Sequence, residues 1–278
     1  IWRASFIRHP FISLKTWSYK IVYMTFLLYI VINILLAPSH LLEHIYMNSI
    51  LKYDSLNIIS LNWIVLLGTI SGSIFCYLTF ARKKWKYKTM SVIAFVAITG
   101  YLIYFYFTID YNLPKETLLI PIFLRSFAYV IIAIIFLTSL SKVPFQYFFQ
   151  AISIQGFVSA SLGGALGSAI LGHFLNFTMK KNIMLLSMTL DHVNTSIYKI
   201  PFTELCGILQ QQALMVSLKE LYGWLSLISL CCLLLFMIKE SSIRPKYVLH
   251  PKYRSIRRFI KHELRLSKKL KSTEKGIL

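Results

Sequence analysis

The chain has 278 residues, of which 56% are apolar and only 14% are charged, and its formal net charge is +20. Soluble globular proteins carry about 25% charged residues, so this composition lies outside their range. Disordered and collagen-like chains are also excluded, because they need low hydrophobicity or a heavy bias toward glycine and proline. The composition indicates a protein that crosses a membrane several times.

Six apolar stretches follow one another, and a helix that crosses the hydrocarbon core needs about 20 such residues. They are residues 21–37, 58–80, 90–108, 118–140, 149–175 and 221–238. The first is short, but Leu41 and Leu42 can extend it beyond Pro38. None alternates like a barrel strand, and backbone groups in lipid must be hydrogen-bonded within their own segment. The pattern predicts an all-α polytopic membrane protein with a six-helix transmembrane bundle.

Lysine and arginine are distributed unevenly between the connections. Of the 30 basic residues, 23 lie before the first stretch, after the second and fourth, or after the last. Six lie in the alternate connections, and Arg125 lies inside the fourth stretch. The positive-inside rule then predicts that both ends lie in the cytoplasm. We expect the chain in the cell (inner) membrane. The lipid bilayer is thus the expected partner, and we expect no nucleic-acid partner.

Three regions follow from this topology. We predict a cytoplasmic leading segment at 1–20, a six-span bundle at 21–238 with a long outer loop at 176–220, and a basic cytoplasmic tail at 239–278. The tail is either an amphipathic helix on an anionic membrane surface or a partly disordered segment. Because the chain begins at Ile1 rather than Met, we expect it to be a piece of a longer protein.

Small residues recur at helical spacing in two stretches. They are Gly68 and Gly72 in the second stretch and Gly156, Gly163, Gly164, Gly167, Ser168 and Gly172 in the fifth. Such stripes let two helix backbones approach closely in lipid, so they predict tight packing within the bundle. The alternative is a helix that slides or flexes during a conformational cycle.

Few strongly polar side chains fall inside the stretches. Arg125 lies about seven residues, or roughly 10 Å, into the fourth stretch, where a charge is costly and is a candidate for substrate binding or coupling. The alternative is an arginine that reaches outward to the membrane surface. Asn62 is a weaker candidate for the same role. No Asp or Glu falls inside a predicted span, so we expect any proton-carrying carboxylate to come from another segment.

Enzyme signatures are missing from the sequence. It contains no Walker loop, no HExxH and no dinucleotide fingerprint, and its four cysteines have no metal-binding or disulfide spacing. We expect neither an enzyme nor a cofactor or metal site.

Five segments, in their order along the chain, resemble the C-terminal half of the fourteen-span drug:proton antiporter branch of the major facilitator superfamily. They are RHPFISLK at 8–15, the basic connection at 81–88, LRSFA at 124–128, LGGALGSAILGH at 162–173 and QQQAL at 210–214. The resemblance implies proton-coupled efflux of small lipophilic or drug-like compounds. It also implies a second six-helix bundle, the missing N-terminal half of the same transporter, as a partner.

The resemblance further implies a role for Arg125, which takes the place of a span-four arginine that the family associates with proton coupling. A different class of function stays open beside it. The chain can instead be a non-transporting six-span membrane anchor or assembly subunit whose basic tail binds lipid or a partner protein.

Overall fold

The computed structural model describes residues 20–83, 85–140, 145–188 and 201–238. These ranges fold into helices, with no strand among them. The helices are α1 (Lys20–Leu36), α2 (Pro38–Ile45), α3 (Ser55–Ile59), α4 (Asn62–Cys76), α5 (Tyr87–Thr108), α6 (Leu119–Leu140), α7 (Phe145–Val158), α8 (Gly167–Met188) and α9 (Phe202–Ile238). Wider π-helical turns extend α2, α4 and α7 at Tyr46–Ile50, Tyr77–Arg82 and Ser159–Leu166.

Six helical stretches of the described chain are long and apolar enough to cross a membrane. They are Phe26–Ile50, Ser55–Thr79, Tyr87–Thr108, Lys115–Leu140, Phe148–Met188 and Phe202–Ile238. Many large apolar side chains point away from the bundle, among them Leu66 at 60% and Leu235 at 68% exposure. Outward apolar side chains suit contact with lipid tails. The predicted all-α polytopic bundle is confirmed, and the chain is a multi-pass membrane protein.

Helix α6 lies at the centre of the packing. It contacts α4 and α5 extensively and also contacts α1. Helix α5 packs in turn against α9, α9 against α8, and α8 against α2. Side chains with no exposed surface fill the interior where these helices meet, including Ile98 and Leu102 on α5 and Ile131 on α6.

The first span continues past Pro38. Ala37, between α1 and α2, keeps right-handed helical angles (φ −55°, ψ −32°), and Pro38 occupies the first turn of α2. A proline at that position is tolerated because its missing N–H would have no intrahelical acceptor. The span therefore continues through Pro38 instead of ending there, and α2 extends it over residues 38–45.

The connection before the last span is shorter than predicted. Residues expected in an outer loop at 176–220 are helical up to Met188, and α9 begins at Phe202. The helical periodicity at 210–222 is confirmed, because that segment runs directly into the last span. Residues 189–200 lie outside the described part.

The predicted terminal segments fall almost wholly outside the described residues. The leading segment at 1–20 is described only at Lys20, and the basic tail at 239–278 not at all. The two interpretations of the tail both stay open.

Candidate functional site

A buried ion pair joins the first and fourth spans. Arg125 on α6 donates from Nη1 to Oε2 of Glu43 on α2, over a distance of 2.6 Å. The other carboxylate oxygen, Oε1, accepts a hydrogen bond of 2.6 Å from the Tyr101 hydroxyl on α5. The Glu43 side chain is 5% exposed and the Arg125 side chain 20% exposed. We call these three residues the polar triad.

The triad residues meet because each lies at the same depth in its span. Arg125 is seven residues after Leu118, Tyr101 is seven before Thr108, and Glu43 is seven before Ile50. Seven residues of helix rise about 10 Å. The end of the bundle near them, which the charge pattern predicts to be non-cytoplasmic, is called the outer end below.

Glu43 overturns the expectation that no span carries a carboxylate. The predicted first span covers residues 21–37 and can extend to Leu42, so it stops just short of Glu43. Because Pro38 only begins a second helix, Glu43 lies in the membrane-spanning stretch Phe26–Ile50 with 3% of its surface exposed. This chain therefore has a buried carboxylate of its own within a membrane-spanning stretch.

Aromatic rings cover the triad toward the outer end. The Phe105 ring lies 5.4 Å from that of Tyr101, stacks on Tyr222 at 5.1 Å, and meets Tyr46 edge-on at 6.5 Å. All four residues are fully buried. The rings place an apolar layer between the ion pair and the outer end of the bundle.

Two hydroxyl contacts fasten this layer to the connection after α5. The Tyr46 hydroxyl donates to the carbonyl oxygen of Asp110 at 2.8 Å and accepts from the Asp110 N–H at 3.1 Å. The Tyr53 hydroxyl donates to the carbonyl oxygen of Leu113 at 3.0 Å. The outer ends of the first and third spans are therefore held together next to the triad.

The charges and hydrogen bonds of the triad are compensated only while Glu43 is ionised. A carboxylate accepts hydrogen bonds, and both Arg125 and Tyr101 donate to it. An ion pair in a low-dielectric interior tolerates loss of one partner poorly, because the other charge is left buried and uncompensated. Proton uptake by Glu43 would remove the negative charge and leave Arg125 without its counter-ion. Protonation of Glu43 would thus remove the electrostatic attraction between α2 and α6 at this point.

The second-span glycines lie against the helix that carries Arg125. A Cβ atom on Gly68 would come within 2.7 Å of Ser126 Cβ, and one on Gly72 within 3.0 Å of the Phe127 carbonyl oxygen. Close approach of two backbones at such residues is what the spacing predicted. The two helices are thus closely packed at this stripe, at positions of α6 on both sides of Arg125.

The fifth-span glycines behave differently. No described heavy atom lies within 4 Å of a Cβ built on Gly156 or Gly164. A Cβ on Gly172 would make only an ordinary contact of 3.6 Å with Leu41. Gly163 and Gly164 lie in the π-helical turn, and at the start of α8 Gly167 is buried and Ser168 half-buried. Close packing against a second helix is therefore not found at Gly156 or Gly164 within the described bundle.

Asn62 is not brought to the triad. It is the first residue of α4, it is exposed, and it forms no hydrogen bond with Arg125.

A second ion pair, of 2.9 Å, joins Lys181 on α8 to Glu220 on α9. Its side chains are 48% and 28% exposed, so it is far more open than the pair between Glu43 and Arg125.

The described ranges contain neither a metal-binding cluster nor a disulfide. Within them no group of three His, Cys, Asp or Glu side chains could hold a metal ion, and the four cysteines are free thiols. No family model and no curated protein matches the sequence.

Proposed function

We propose that this chain is part of a proton-coupled transporter that exports small lipophilic compounds, with Glu43 as the proton acceptor. The observation that carries the proposal is the buried ion pair between Glu43 and Arg125 at 2.6 Å. Ionisable residues inside membrane spans are costly and mark ion or substrate pathways. A buried ion pair is also weak evidence for a purely stabilising role, since apolar residues often serve stability as well.

The coupling step follows from the charges of the triad. A proton that binds a Glu43 carboxylate oxygen makes the carboxyl group neutral, and the attraction between α2 and α6 at this point is lost. Arg125 is then a buried cation that gains by moving to water or to another anion. Loss of the proton restores the pair, so the two protonation states of Glu43 favour two arrangements of the helices.

The form of the transporter is taken from the family resemblance. Alternating access in such folds is a rocking of one helical bundle against the other around a midplane site. By that resemblance, this chain supplies the C-terminal bundle and the N-terminal half supplies the other. The abundance of Phe and Tyr, 20 and 17 residues, suits a permissive apolar binding wall.

Drug accumulation in cells that produce the intact protein tests the proposal. We expect energy-dependent export of an amphiphilic dye, and its loss in Glu43→Gln. The matched control is Glu220→Gln, which removes one carboxylate from the other, more exposed ion pair and should retain export. The double variant Glu43→Gln with Arg125→Gln keeps the site neutral and should be inserted in the membrane but inactive.

Two results would contradict the proposal. Export by Glu43→Gln at the parent rate would exclude Glu43 as the proton acceptor. Failure of the intact protein to export any amphiphile would favour the membrane-anchor function instead.

A further inference from the structure

The Tyr222 hydroxyl is the one buried side-chain polar atom of the described chain that has no partner at hydrogen-bond distance and angle. Tyr222 lies on α9 and has no exposed surface. Burial of a hydroxyl without a partner is unfavourable, and phenylalanine at this position would avoid the cost. Such a hydroxyl is understandable if it forms a hydrogen bond in a second state of the protein.

Tyr222 lies beside the polar triad. Its ring stacks on Phe105, which also contacts Tyr101, and its hydroxyl interacts with Glu43, Tyr101 and Arg125. Glu43, Arg125 and Tyr101 approach it from α2, α6 and α5.

Tyr46 is the fourth titratable group that faces Tyr222. It follows α2 in the chain, and its hydroxyl already donates to and accepts from the backbone of Asp110. Tyr46 is therefore occupied, and the triad is the part of these surroundings that can change.

Hydrogen-bond donors and acceptors no longer match when Glu43 is neutral. A protonated carboxyl group carries an O–H that needs an acceptor, and an arginine side chain has none to offer. The Tyr101 oxygen, 2.6 Å from Oε1, can accept that hydrogen. Its own hydrogen must then turn away from Glu43 and find another acceptor. The Tyr222 oxygen is available for it.

We propose that Tyr222 is a positioning residue for the proton-loaded site: it accepts the hydrogen of the Tyr101 hydroxyl when Glu43 carries a proton. The proton enters from water and forms an O–H bond at Glu43, the Tyr101 hydroxyl rotates, and both tyrosines stay neutral. No other bond is formed or broken. The proposal rests on Glu43 being the proton acceptor of the proposed function.

The variant Tyr222→Phe tests this, with Tyr101→Phe as the matched control. Each removes one hydroxyl oxygen and keeps the ring. At neutral pH, Tyr222→Phe should be at least as heat-stable as the parent, because it deletes an unsatisfied group. Tyr101→Phe should be less stable, because it deletes a hydrogen bond that is made.

Infrared spectroscopy reads the proton-loaded state directly. The acid-minus-neutral difference spectrum of the purified protein should contain a carboxyl C=O band that Glu43→Gln removes. In Tyr222→Phe this band should move, since the hydrogen-bonded chain beyond Tyr101 is cut. Dye export should fall about two- to tenfold, the equivalent of one hydrogen bond.

The outcomes separate this proposal from the proposed function. An unmoved band and unchanged export in Tyr222→Phe would overturn the role of Tyr222 while leaving Glu43 in place. A greater loss of stability in Tyr222→Phe than in Tyr101→Phe would also overturn it, because the hydroxyl would then be bonded at neutral pH. A parent spectrum without a Glu43 band would instead overturn the proposed function itself.

Discussion

Replacement of Gly68 by alanine tests whether the second-span glycines hold α4 against α6. A Cβ atom at Gly68 would lie 2.7 Å from Ser126 Cβ and 3.0 Å from the Phe123 carbonyl oxygen. One neighbour is backbone and the other is joined directly to it, so neither can rotate away as the end of a flexible side chain would. The two helices must therefore shift to admit one methyl group.

The expected magnitude combines two opposing effects. Overpacking a close contact costs about 1–3 kcal/mol. Alanine regains up to about 1 kcal/mol of helix propensity relative to glycine. The net expectation for Gly68→Ala is a loss of up to about 2 kcal/mol in the free energy of unfolding.

Gly156→Ala is the matched control. No described heavy atom lies within 4 Å of its added Cβ, so only the helix-propensity gain applies. The two variants add the same methyl group to the same kind of sequence pattern. Their stabilities should therefore differ by the overpacking cost alone, about 1–3 kcal/mol.

The difference in stability is measured by heating the purified variants in detergent and monitoring their unfolding by size-exclusion chromatography. Gly68→Ala should unfold below the parent, and Gly156→Ala at or above it. Gly72→Ala, whose Cβ would lie 3.0 Å from a backbone oxygen of Phe127, should behave like Gly68→Ala. Equal unfolding temperatures for Gly68→Ala and Gly156→Ala would refute the close approach of α4 and α6.

Three further predictions concern the ion pair, the topology and the outer connections. Arg125→Gln should lower the free energy of unfolding by about 3–5 kcal/mol, because it leaves the Glu43 carboxylate buried without a counter-ion. Adding Glu43→Gln should restore most of this loss. Chemical unfolding measures both variants, and a double variant no more stable than Arg125→Gln would contradict the reasoning. In a cysteine-free background, a membrane-impermeant thiol reagent applied to intact cells should label Glu116→Cys and not Lys86→Cys, and the reverse labelling would invert the predicted topology. Burial, together with the negative charge of Glu116, raises the pKa of Tyr53 above its ordinary value of 10.0. The folded state holds the phenolic proton more tightly than the unfolded state, so Tyr53 contributes its full stability below about pH 10 and loses it as the pH rises further. In melting curves measured over a pH series, Tyr53→Phe should therefore lose less stability at alkaline pH than the parent. An unchanged pH profile would count against the burial of Tyr53 near Glu116.

The six spans could be predicted from the sequence because hydropathy is a local property. A run of apolar residues has to form a helix in lipid whatever its neighbours are. Arg125 could be singled out for the same reason, since a charge inside such a run is costly by its position alone. Boundaries were less certain: the helices continue into the loop predicted at 176–220, where composition turns polar but the backbone stays helical.

Glu43 shows where local reasoning failed. The predicted first span reached Leu42 at most, and only the folded chain shows that helix continues from Ala37 through Pro38 and past Glu43. The contribution of Tyr101 and Tyr222 could not be predicted either, because nothing nearby in the sequence separates them from the other 15 tyrosines. Their importance comes from α5 and α9 packing together at the depth of Glu43.

The two glycine stripes show which properties the sequence determined and which depended on the tertiary structure. Sequence alone established an all-helical chain built for a bilayer, and it marked both stripes and Arg125 as unusual. Tertiary structure alone decided that Gly68 packs closely against α6, whereas a Cβ added at Gly156 would meet no described atom of another helix within 4 Å. It also decided that Arg125 meets a carboxylate from another span. The physical reason is that hydrophobicity and spacing act within one helix, whereas contacts and charge compensation depend on which helices become neighbours.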